Sequence, residues 1–270
     1  MTLQEKYSFL KNYIKDLGSL AVAYSGGVDS TFLLKVAYDV LGDKVIAVTA
    51  TSSTYPQREF EEAKRWIKDI GATHIIIESE ELDIEGFTEN PTNRCYYCKK
   101  ELFHKVKEEA LQRNIQYVAD GSNFDDLGDY RPGMQAAAEL SVVSPLKLSK
   151  MTKEDIRILS KELDLPTWSK PAFACLSSRF PYGHKITREK LSMVERAENY
   201  LIDLGFRQLR VRHHDDTARI ELGEKEFERF VDKDLMRQVG KEFKEIGFTY
   251  VTLDLNGYRT GSMNEVLKDI

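Results

Sequence analysis

The chain has 270 residues, of which 41% are hydrophobic, so it contains enough apolar material for one large domain or two smaller ones. Its 44 acidic and 39 basic residues give a net charge of −5, which offers no general positive surface for a nucleic acid. No stretch approaches the roughly 18 apolar residues of a membrane-spanning helix, and the N-terminus lacks the apolar core of a signal peptide. We therefore expect a cytoplasmic protein that does not cross a membrane.

The first half of the chain alternates between helical and strand patterns. Apolar residues at helical spacing predict a helix over 3–17, which Gly18 ends. The short apolar run at 19–25 is typical of a buried parallel strand. The alternation continues with predicted helices at 29–41, 57–70 and 98–112 and predicted strands at 44–51, 74–79 and 117–122. This order predicts an α/β fold, a parallel sheet with right-handed crossovers and helices on both faces.

The pattern changes after about residue 150. A helix with Thr152 in its cap is followed by an irregular stretch rich in Pro, Gly and Ser. A helix at 187–204, two β-rich runs around the turn "HHDD", another helix and a final strand follow. We predict a parallel-sheet domain over 1–170 and a smaller α+β domain over 171–270.

The segment "AYSGGVDSTFLL" lies where the first predicted strand passes into a helix. Its small residues allow a tight turn that directs backbone N–H groups outward, and the helix begins with its positive end at the same place. Such a turn binds phosphate. The segment lacks the Lys-Ser/Thr ending of a Walker A loop. A glycine-rich turn with an Asp/Ser cap is the alternative interpretation.

The string "SGGVDS" resembles the PP-loop of the ATP pyrophosphatase superfamily, whose fold is adenine nucleotide α-hydrolase-like. The resemblance implies cleavage of ATP between its α and β phosphates, with Mg²⁺ on the phosphate oxygens. The residues that it assigns to this loop are Ser25, Gly26, Gly27, Asp29 and Ser30. ATP would lie across the carboxyl ends of the strands, where the segment "ADGSNFDD" follows the fourth strand. Candidate ATP contacts there are Asp120, Ser122, Asn123 and Asp125, although a plain turn explains these residues almost as well.

Two of the three cysteines, Cys95 and Cys98, are one helical turn apart in "CYYC". If the helix starts near Cys98, both thiols lie at its positive end, where thiolate formation and metal binding are favoured. A buried apolar pair, a reversible disulfide or a zinc site with further ligands are the alternatives. The third cysteine, Cys175, lies in the irregular stretch, with Lys170 and Arg179 nearby. Three thiolates suffice to hold a [4Fe–4S] cluster and leave one iron open for a sulfide.

Several arginines are candidate anion ligands. Arg131 precedes Pro132, which marks a helix start, and it is a plausible phosphate or carboxylate ligand. Arg210 and Arg212 alternate along a predicted strand and so share one face, which suits a phosphate group. A solvated strand edge carrying protective charges is the alternative for this strand.

Together, "SGGVDS", "DYRPGMQA", "SSRFPYG", "VRVRHHDDTARIEL" and "YVTLDLNGYRTG" resemble the LarE family over essentially the whole chain. LarE enzymes insert sulfur during biosynthesis of the nickel-pincer nucleotide cofactor. The resemblance implies an ATP-dependent sulfurtransferase that adenylates a carboxylate of pyridinium-3,5-biscarboxylic acid mononucleotide and converts it to a thiocarboxylate. It also implies a homohexamer, with Arg179, Arg210 and Arg212 near the substrate phosphate.

The cysteine content of the chain departs from that of the best-known family members. Those members carry only the cysteine that matches Cys175 and sacrifice its sulfur, which leaves dehydroalanine. The additional Cys95 and Cys98 resemble a three-cysteine branch in which a [4Fe–4S] cluster carries the transferable sulfide. Rival interpretations are a tRNA thiolase, an amidating ATP pyrophosphatase, and a non-catalytic zinc or nucleotide-binding module.

Overall fold

The chain forms two compact units in the computed structural model, which describes residues 1–127, 132–171, 174–259 and 261–267. The first unit contains Met1–Glu81 and Asn93–Phe173, and the second contains Leu82–Thr92 and Ala174–Ile270. Segment 82–92 belongs to the second unit because the Asn90 side-chain amide donates to the carbonyls of Phe180 (3.2 Å) and Pro181 (2.7 Å). The second unit therefore consists of two separate stretches of the chain, whereas the sequence pattern predicts a single boundary at residue 170.

A four-stranded parallel sheet forms the centre of the first unit, in the order β3-β2-β1-β4. Its strands are β1 (Leu20–Ala23), β2 (Val45–Thr51), β3 (Thr73–Glu78) and β4 (Val118–Ala119). Strands β2 and β3 follow one another on one side of β1, whereas β4 pairs with the other side of β1. The topological switch point, where ligands bind in such sheets, is therefore between β1 and β4.

Seven helices accompany this sheet in the described part of the first unit, and they confirm the α/β prediction. They are α1 (Leu3–Leu17), α2 (Val28–Leu41), α3 (Gln57–Ile70), α4 (Arg94–Gln112), α5 (Pro132–Glu139), α6 (Pro145–Leu148) and α7 (Lys153–Glu162). Alternate residues of the strands point to opposite faces of the sheet and belong to two apolar clusters. On one face Val22 and Ala47 pack with α1, α2 and α7. On the other face Ala21 and Ile46 pack with α4 and α5. Both faces of the sheet are thus covered by helices.

The start of α4 differs from the prediction. The helix begins at Arg94 rather than near Cys98, with Asn93 at its cap position. Cys95 therefore lies in the first helical turn and Cys98 in the second, so the motif is part of the helix. Arg94, the first residue of the helix, is only 5% exposed.

The second unit contains a three-stranded sheet in the order β5-β6-β7. Its elements are α8 (Arg188–Asp203), β5 (Leu209–His214), β6 (Thr217–Leu222), α9 (Glu224–Phe230), α10 (Lys233–Ile246) and β7 (Tyr250–Leu253). β5 and β6 are antiparallel, whereas β6 and β7 are parallel. Two helices replace the single one predicted before the last strand, because the Asp232 side chain accepts from the Asp234 and Leu235 amides and starts α10 anew.

A membrane-crossing helix is absent from the part of the chain that the structure describes, since every helix there is too short or too polar.

Candidate functional site

The loop between β1 and α2 is held in one shape by its neighbours. Gly26 has a φ of +69°, and a Cβ at this position would lie 2.9 Å from the Cβ of Ala63. Only glycine fits because both the backbone conformation and the available space exclude a side chain. Tyr55 donates its hydroxyl to the Ser25 carbonyl at 2.9 Å, which fixes the other side of the loop.

Ser30 connects the loop to the first turn of α2. Its hydroxyl accepts from the Ser25 amide at 3.3 Å, lies 3.2 Å from the Ser25 hydroxyl, and donates to the Gly27 carbonyl at 3.3 Å. Gly27 is the N-cap residue and has no side chain to cap the first amides of α2. The positive end of the helix therefore faces the loop without a side-chain acceptor at the cap, as suits an anion.

The segment after β4 lies against the same helix end. A Cβ on Gly121 would lie 3.1 Å from the Ser30 amide nitrogen. Asp120 accepts from the hydroxyls of Ser122 (2.6 Å) and Ser144 (2.7 Å), which fixes its carboxylate. The structure thus brings the predicted segments after β1 and β4 together at the switch point.

Asn123 and Asp125 are engaged in local structure. Asn123 is 2% exposed, and its side-chain oxygen accepts from the Asp125 amide at 2.9 Å. Asp125 in turn accepts from the Lys153 amide at 2.7 Å. These bonds explain why both residue types occur at this turn, and their contact with ATP stays a prediction.

Lys153 is a residue that the sequence interpretation missed. Its ammonium group contacts the Asp29 carboxylate, 124 positions away in sequence. The other oxygen of Asp29, Oδ1, is buried and has no hydrogen-bond partner among the described residues. Lys153 is the first residue of α7, where its positive charge is unfavourable because the helix dipole is also positive there. This unfavourable placement was the signal in the sequence that could have identified Lys153 as a functional residue.

Lys170 brings a second cation to the loop. Its ammonium group lies 3.4 Å from the Gly26 carbonyl, 2.5 Å from a Glu59 carboxylate oxygen and 2.9 Å from one of Glu62. Two ammonium groups, those of Lys153 and Lys170, therefore lie at the loop between β1 and α2. Burial, together with the nearby Glu59 charge, raises the pKa of Tyr55, so this residue stays a neutral donor to the loop.

A cavity of about 260 Å³ opens beside the switch point. Asp120, Ser122, Ser144 and Lys147 supply its polar lining, and Met134 and Val142 are among its apolar walls. This mixture suits a ligand that has both an apolar ring and polar substituents.

The Cys-x-x-Cys motif is next to the segments that follow β2 and β3. Cys98 donates its thiol to Glu81 Oε1 at 3.6 Å, and the Thr54 hydroxyl donates to Glu81 Oε2 at 3.1 Å. Burial raises the pKa of Glu81, against the opposing effect of hydrogen bonds from Ser52 and Thr54. Glu81 thus joins Cys98 to the loop after β2.

All three cysteines are thiols in the structure, with Cys95 exposed and Cys98 and Cys175 partly buried. Cys95 and Cys98 belong to the first unit and Cys175 to the second. Across the four described ranges, no group of three or more His, Cys, Asp or Glu residues is arranged to hold a metal ion. The donor chemistry suits iron, but the cluster stays a proposal.

Arg179 is buried beside Cys175. It forms a bidentate ion pair with Glu198, through Nε at 2.9 Å and Nη2 at 2.8 Å. Nη1 donates to the carbonyl groups of Ala174 (2.7 Å) and Cys175 (2.9 Å). Burial alone would raise the pKa of Glu198, but the Arg179 guanidinium outweighs this effect and holds the pKa below its usual value. The sequence interpretation missed Glu198, an acidic residue between the buried Val194 and Leu201 on α8.

Arg210 and Arg212 lie on β5 near Arg179. Arg212 is 5% exposed, donates to Glu221 at 2.7 Å and to the Ser178 carbonyl at 2.9 Å, and is not on a solvated edge. The Arg210 guanidinium lies over the Tyr258 ring, 5.3 Å from its centre. Burial and the neighbouring Arg179 charge lower the pKa of Arg210. The structure brings these three arginines together, and their contact with a phosphate stays a prediction. Arg131 lies outside the described residues.

Comparison with known proteins relates the whole chain to one family. It is 40% identical over 267 residues to the pyridinium-3,5-bisthiocarboxylic acid mononucleotide synthase of Lactiplantibacillus plantarum, which covers 98% of this chain and 96% of that protein. The chain belongs to the LarE family. An uncharacterized protein of Synechocystis is 46% identical over 265 residues, covering 98% of this chain and 99% of that protein.

More distant similarity includes matches to only part of this chain. The NAD synthase family model matches residues 2–122 of this LarE family member, which confirms the PP-loop domain. A glutamine-hydrolysing GMP synthase chain of Sulfurisphaera tokodaii is 27% identical over 198 residues, covering 66% of this chain and 52% of that protein. The resemblance drawn from the motifs is thus confirmed.

Proposed function

We propose that this chain is an ATP-dependent sulfurtransferase that converts a carboxylate of pyridinium-3,5-biscarboxylic acid mononucleotide to a thiocarboxylate, in biosynthesis of the nickel-pincer nucleotide cofactor. The observation that carries the proposal is the 40% identity, over nearly both full lengths, to a synthase named for the bisthiocarboxylic acid mononucleotide. The fixed loop after β1 and the partly buried Cys175 supply the two chemical requirements, a phosphate site and a sulfur atom.

The first step is attack of a substrate carboxylate oxygen on the α-phosphorus of ATP. The bond from this phosphorus to the β-phosphate oxygen breaks, so that an acyl adenylate forms and pyrophosphate leaves. The loop amides at the start of α2 and the ammonium groups of Lys153 and Lys170 bind the negative charge of pyrophosphate. The buried Asp29 Oδ1 is a fitting oxygen ligand for Mg²⁺, which supplies further charge neutralisation when it is bound.

The second step transfers sulfur to the activated carbon. In the single-cysteine form of the chemistry, the Cys175 thiolate attacks the acyl carbon, a thioester forms and AMP leaves. Loss of the Cα proton of Cys175 to a base and cleavage of its Cβ–S bond then release the thiocarboxylate and leave dehydroalanine. In the alternative form, Cys95, Cys98 and Cys175 would hold a [4Fe–4S] cluster, which supplies a transferable sulfide when it is bound.

Intact-mass spectrometry after turnover with ATP and the mononucleotide tests the proposal. The expected products are pyrophosphate, AMP and a thiocarboxylate, and a loss of about 34 Da from the protein would identify Cys175 as a consumed donor. An unchanged protein mass with product formed would favour the cluster. Cys175→Ala should abolish thiocarboxylate formation, and Cys95→Ala separates the two forms because only the cluster form requires it.

Replacement of Gly26 by Ala tests the ATP site. We expect pyrophosphate release to fall on the order of 100-fold, because the new Cβ displaces the phosphate-binding loop. Gly42→Ala is the matched control: Gly42 also has a positive φ (+60°), but a Cβ there meets nothing within 4 Å. Equal losses in the two variants would show that backbone strain, and not the site, is responsible.

An amidating enzyme is the second candidate, because the glutamine-hydrolysing GMP synthase chain is similar to part of this protein. Such an enzyme would form AMP with ammonia as the nucleophile, so replacement of all three cysteines would leave its activity unchanged. The tRNA thiolase alternative predicts salt-sensitive tRNA binding, which the net charge of −5 does not favour.

The family resemblance supports a proposal for the assembly. We propose a cytoplasmic homohexamer, and light scattering of the purified protein tests the stoichiometry.

A further inference from the structure

Cys175 has an unusually well-fixed backbone for a residue in an irregular segment. Its carbonyl accepts three hydrogen bonds, from the Ser178 amide at 3.0 Å, the Ser178 hydroxyl at 2.8 Å and Arg179 Nη1 at 2.9 Å. The side chain of Cys175 is nevertheless partly accessible. A reactive side chain on a rigid backbone is an arrangement that favours a defined direction of attack.

Arg179 is the centre of this arrangement. It is 2% exposed, and its Nη1 also bonds the Ala174 carbonyl at 2.7 Å and the Ser178 hydroxyl at 2.9 Å. The other two nitrogens, Nε and Nη2, both bond Glu198. Each guanidinium nitrogen is thus engaged by protein acceptors. A substrate phosphate could bind Arg179 only by displacing acceptors, and loss of the Arg179 contact would leave the carboxylate of Glu198 buried without its counter-ion, which is strongly destabilising.

Glu198 ties the arrangement to the core of the second unit. Its Oε1 accepts from the Val211 amide on β5 at 2.9 Å in addition to its bond with Arg179. Its own helix, α8, is anchored in this unit by the buried Val194, Ala197 and Leu201. The position of the Cys175 loop is therefore connected through two side chains to a helix and a sheet.

We infer that Arg179 is a positioning residue that fixes Cys175 for sulfur transfer through the Glu198 ion pair, and not a ligand of the substrate phosphate. The activity part of this inference rests on the proposed function. A lysine cannot replace Arg179, because one ammonium group cannot bond both carboxylate oxygens of Glu198 and the Ala174 and Cys175 carbonyls in a planar fork.

Three variants test the inference: Arg179→Met, Arg179→Lys and the double variant Arg179→Met/Glu198→Gln. The double variant removes both buried charges and keeps an acceptor for the Val211 amide, so it should regain stability lost in Arg179→Met. It does not restore the donor to the Cys175 carbonyl. If Arg179 positions Cys175, the loop that contains Cys175 should stay altered in the double variant even though that variant has regained stability.

Peptide-resolved alkylation and hydrogen exchange are the readouts, and neither requires activity. In all three variants we expect the loop to open locally. The rate of Cys175 alkylation should therefore change about fivefold or more, and the Ser178 amide hydrogen should exchange about tenfold faster. Alkylation of Cys95 and Cys98, in the other unit, should stay unchanged and serves as the internal control.

Kinetics complete the test. We expect the single-turnover rate constant for thiocarboxylate formation to fall about 10- to 100-fold, with the half-saturating concentrations of ATP and of the mononucleotide little changed. Recovery of wild-type Cys175 alkylation and Ser178 exchange in the double variant would overturn the inference, as would a higher half-saturating concentration of the mononucleotide with the single-turnover rate constant retained. If no variant or wild-type protein forms a thiocarboxylate, the proposed function fails, and alkylation and exchange still decide whether Arg179 fixes the loop.

Discussion

The two units hold their cationic side chains in different ways. In the first unit, Lys153 and Lys170 contact the carboxylates of Asp29, Glu59 and Glu62, whose side chains are between 21% and 29% exposed. In the second unit, the carboxylates of Glu198 and Glu221 are 10% and 0% exposed, and they bond guanidinium groups that are themselves buried.

This difference separates exchangeable charges from fixed ones. An ammonium group near solvent, such as that of Lys153 with a side chain 35% exposed, loses little when it moves from a carboxylate to a phosphate, because water compensates both arrangements. A buried guanidinium cannot leave its carboxylate without leaving a charge uncompensated in a medium of low dielectric constant. We therefore expect Lys153 of the first unit to respond to ligands and Arg179 and Arg212 to maintain the structure of the second.

Among the variants that test this difference between the units, we expect Glu221→Ala to have the largest effect, a loss of stability. It removes the carboxylate that bonds both Arg212 (2.7 Å) and Arg219 (3.0 Å), so the free energy of unfolding should fall by about 3–5 kcal/mol. Urea denaturation followed by circular dichroism measures it. The control is Glu245→Ala, which removes an exposed pair with Lys241 in the same unit and should cost less than about 1 kcal/mol. Similar losses in the two variants would contradict the distinction.

His213 extends the comparison to a buried group that stays neutral. Its ring lies between Phe180 and Phe248, and burial, with a smaller effect of Lys190, lowers its pKa from 6.5 to about 4. Between these two pH values the unfolded chain binds a proton that the folded chain does not, so stability falls as the pH is lowered from 6.5 to 4. The expected loss is ~3 kcal/mol.

The variant His213→Phe isolates this contribution, because phenylalanine keeps an aromatic ring between the two neighbours and cannot be protonated. Its free energy of unfolding should depend less on pH than that of the wild type between pH 6.5 and 4. His104→Gln, at an exposed position on α4, is the control and should follow the wild type. If the free energy of unfolding of His213→Phe depends on pH as strongly as that of the wild type, the folded protein accommodates the charged ring and the prediction is wrong.

Lys153→Met gives the smallest expected effect and tests the exchangeable charges. We expect affinity for a non-hydrolysable ATP analogue with Mg²⁺ to fall about tenfold, because one charge-assisted bond to the phosphates is lost. Isothermal titration calorimetry measures this affinity. Lys35→Met, which removes the partner of Asp39 on the same helix as Asp29, should leave it unchanged. An unchanged affinity in Lys153→Met would place Lys153 among the structural cations.

Local patterns predicted the first unit well because its determinants are local. Helix α3 ends at Ile70 with Gly71 in a left-handed conformation, and Thr152 and Asp155 form the capping box of α7, as the sequence indicated. Errors occurred where the local pattern was weak. Helix α4 starts at Arg94 without a side-chain cap from Asn93, and the division between α9 and α10 depends on a single capping aspartate.

The sequence by itself determined the glycine-rich loop after the first strand, the alternation of strands and helices in the first unit, and the family. These follow from contiguous motifs and from the alternation of elements. Only the tertiary structure decided which charges face each other: Asp29 and Lys153 are 124 positions apart, and Arg179 and Glu198 are 19 apart. The physical reason is that an ion pair depends on distance and burial, and neither is encoded in the residues adjacent to either partner.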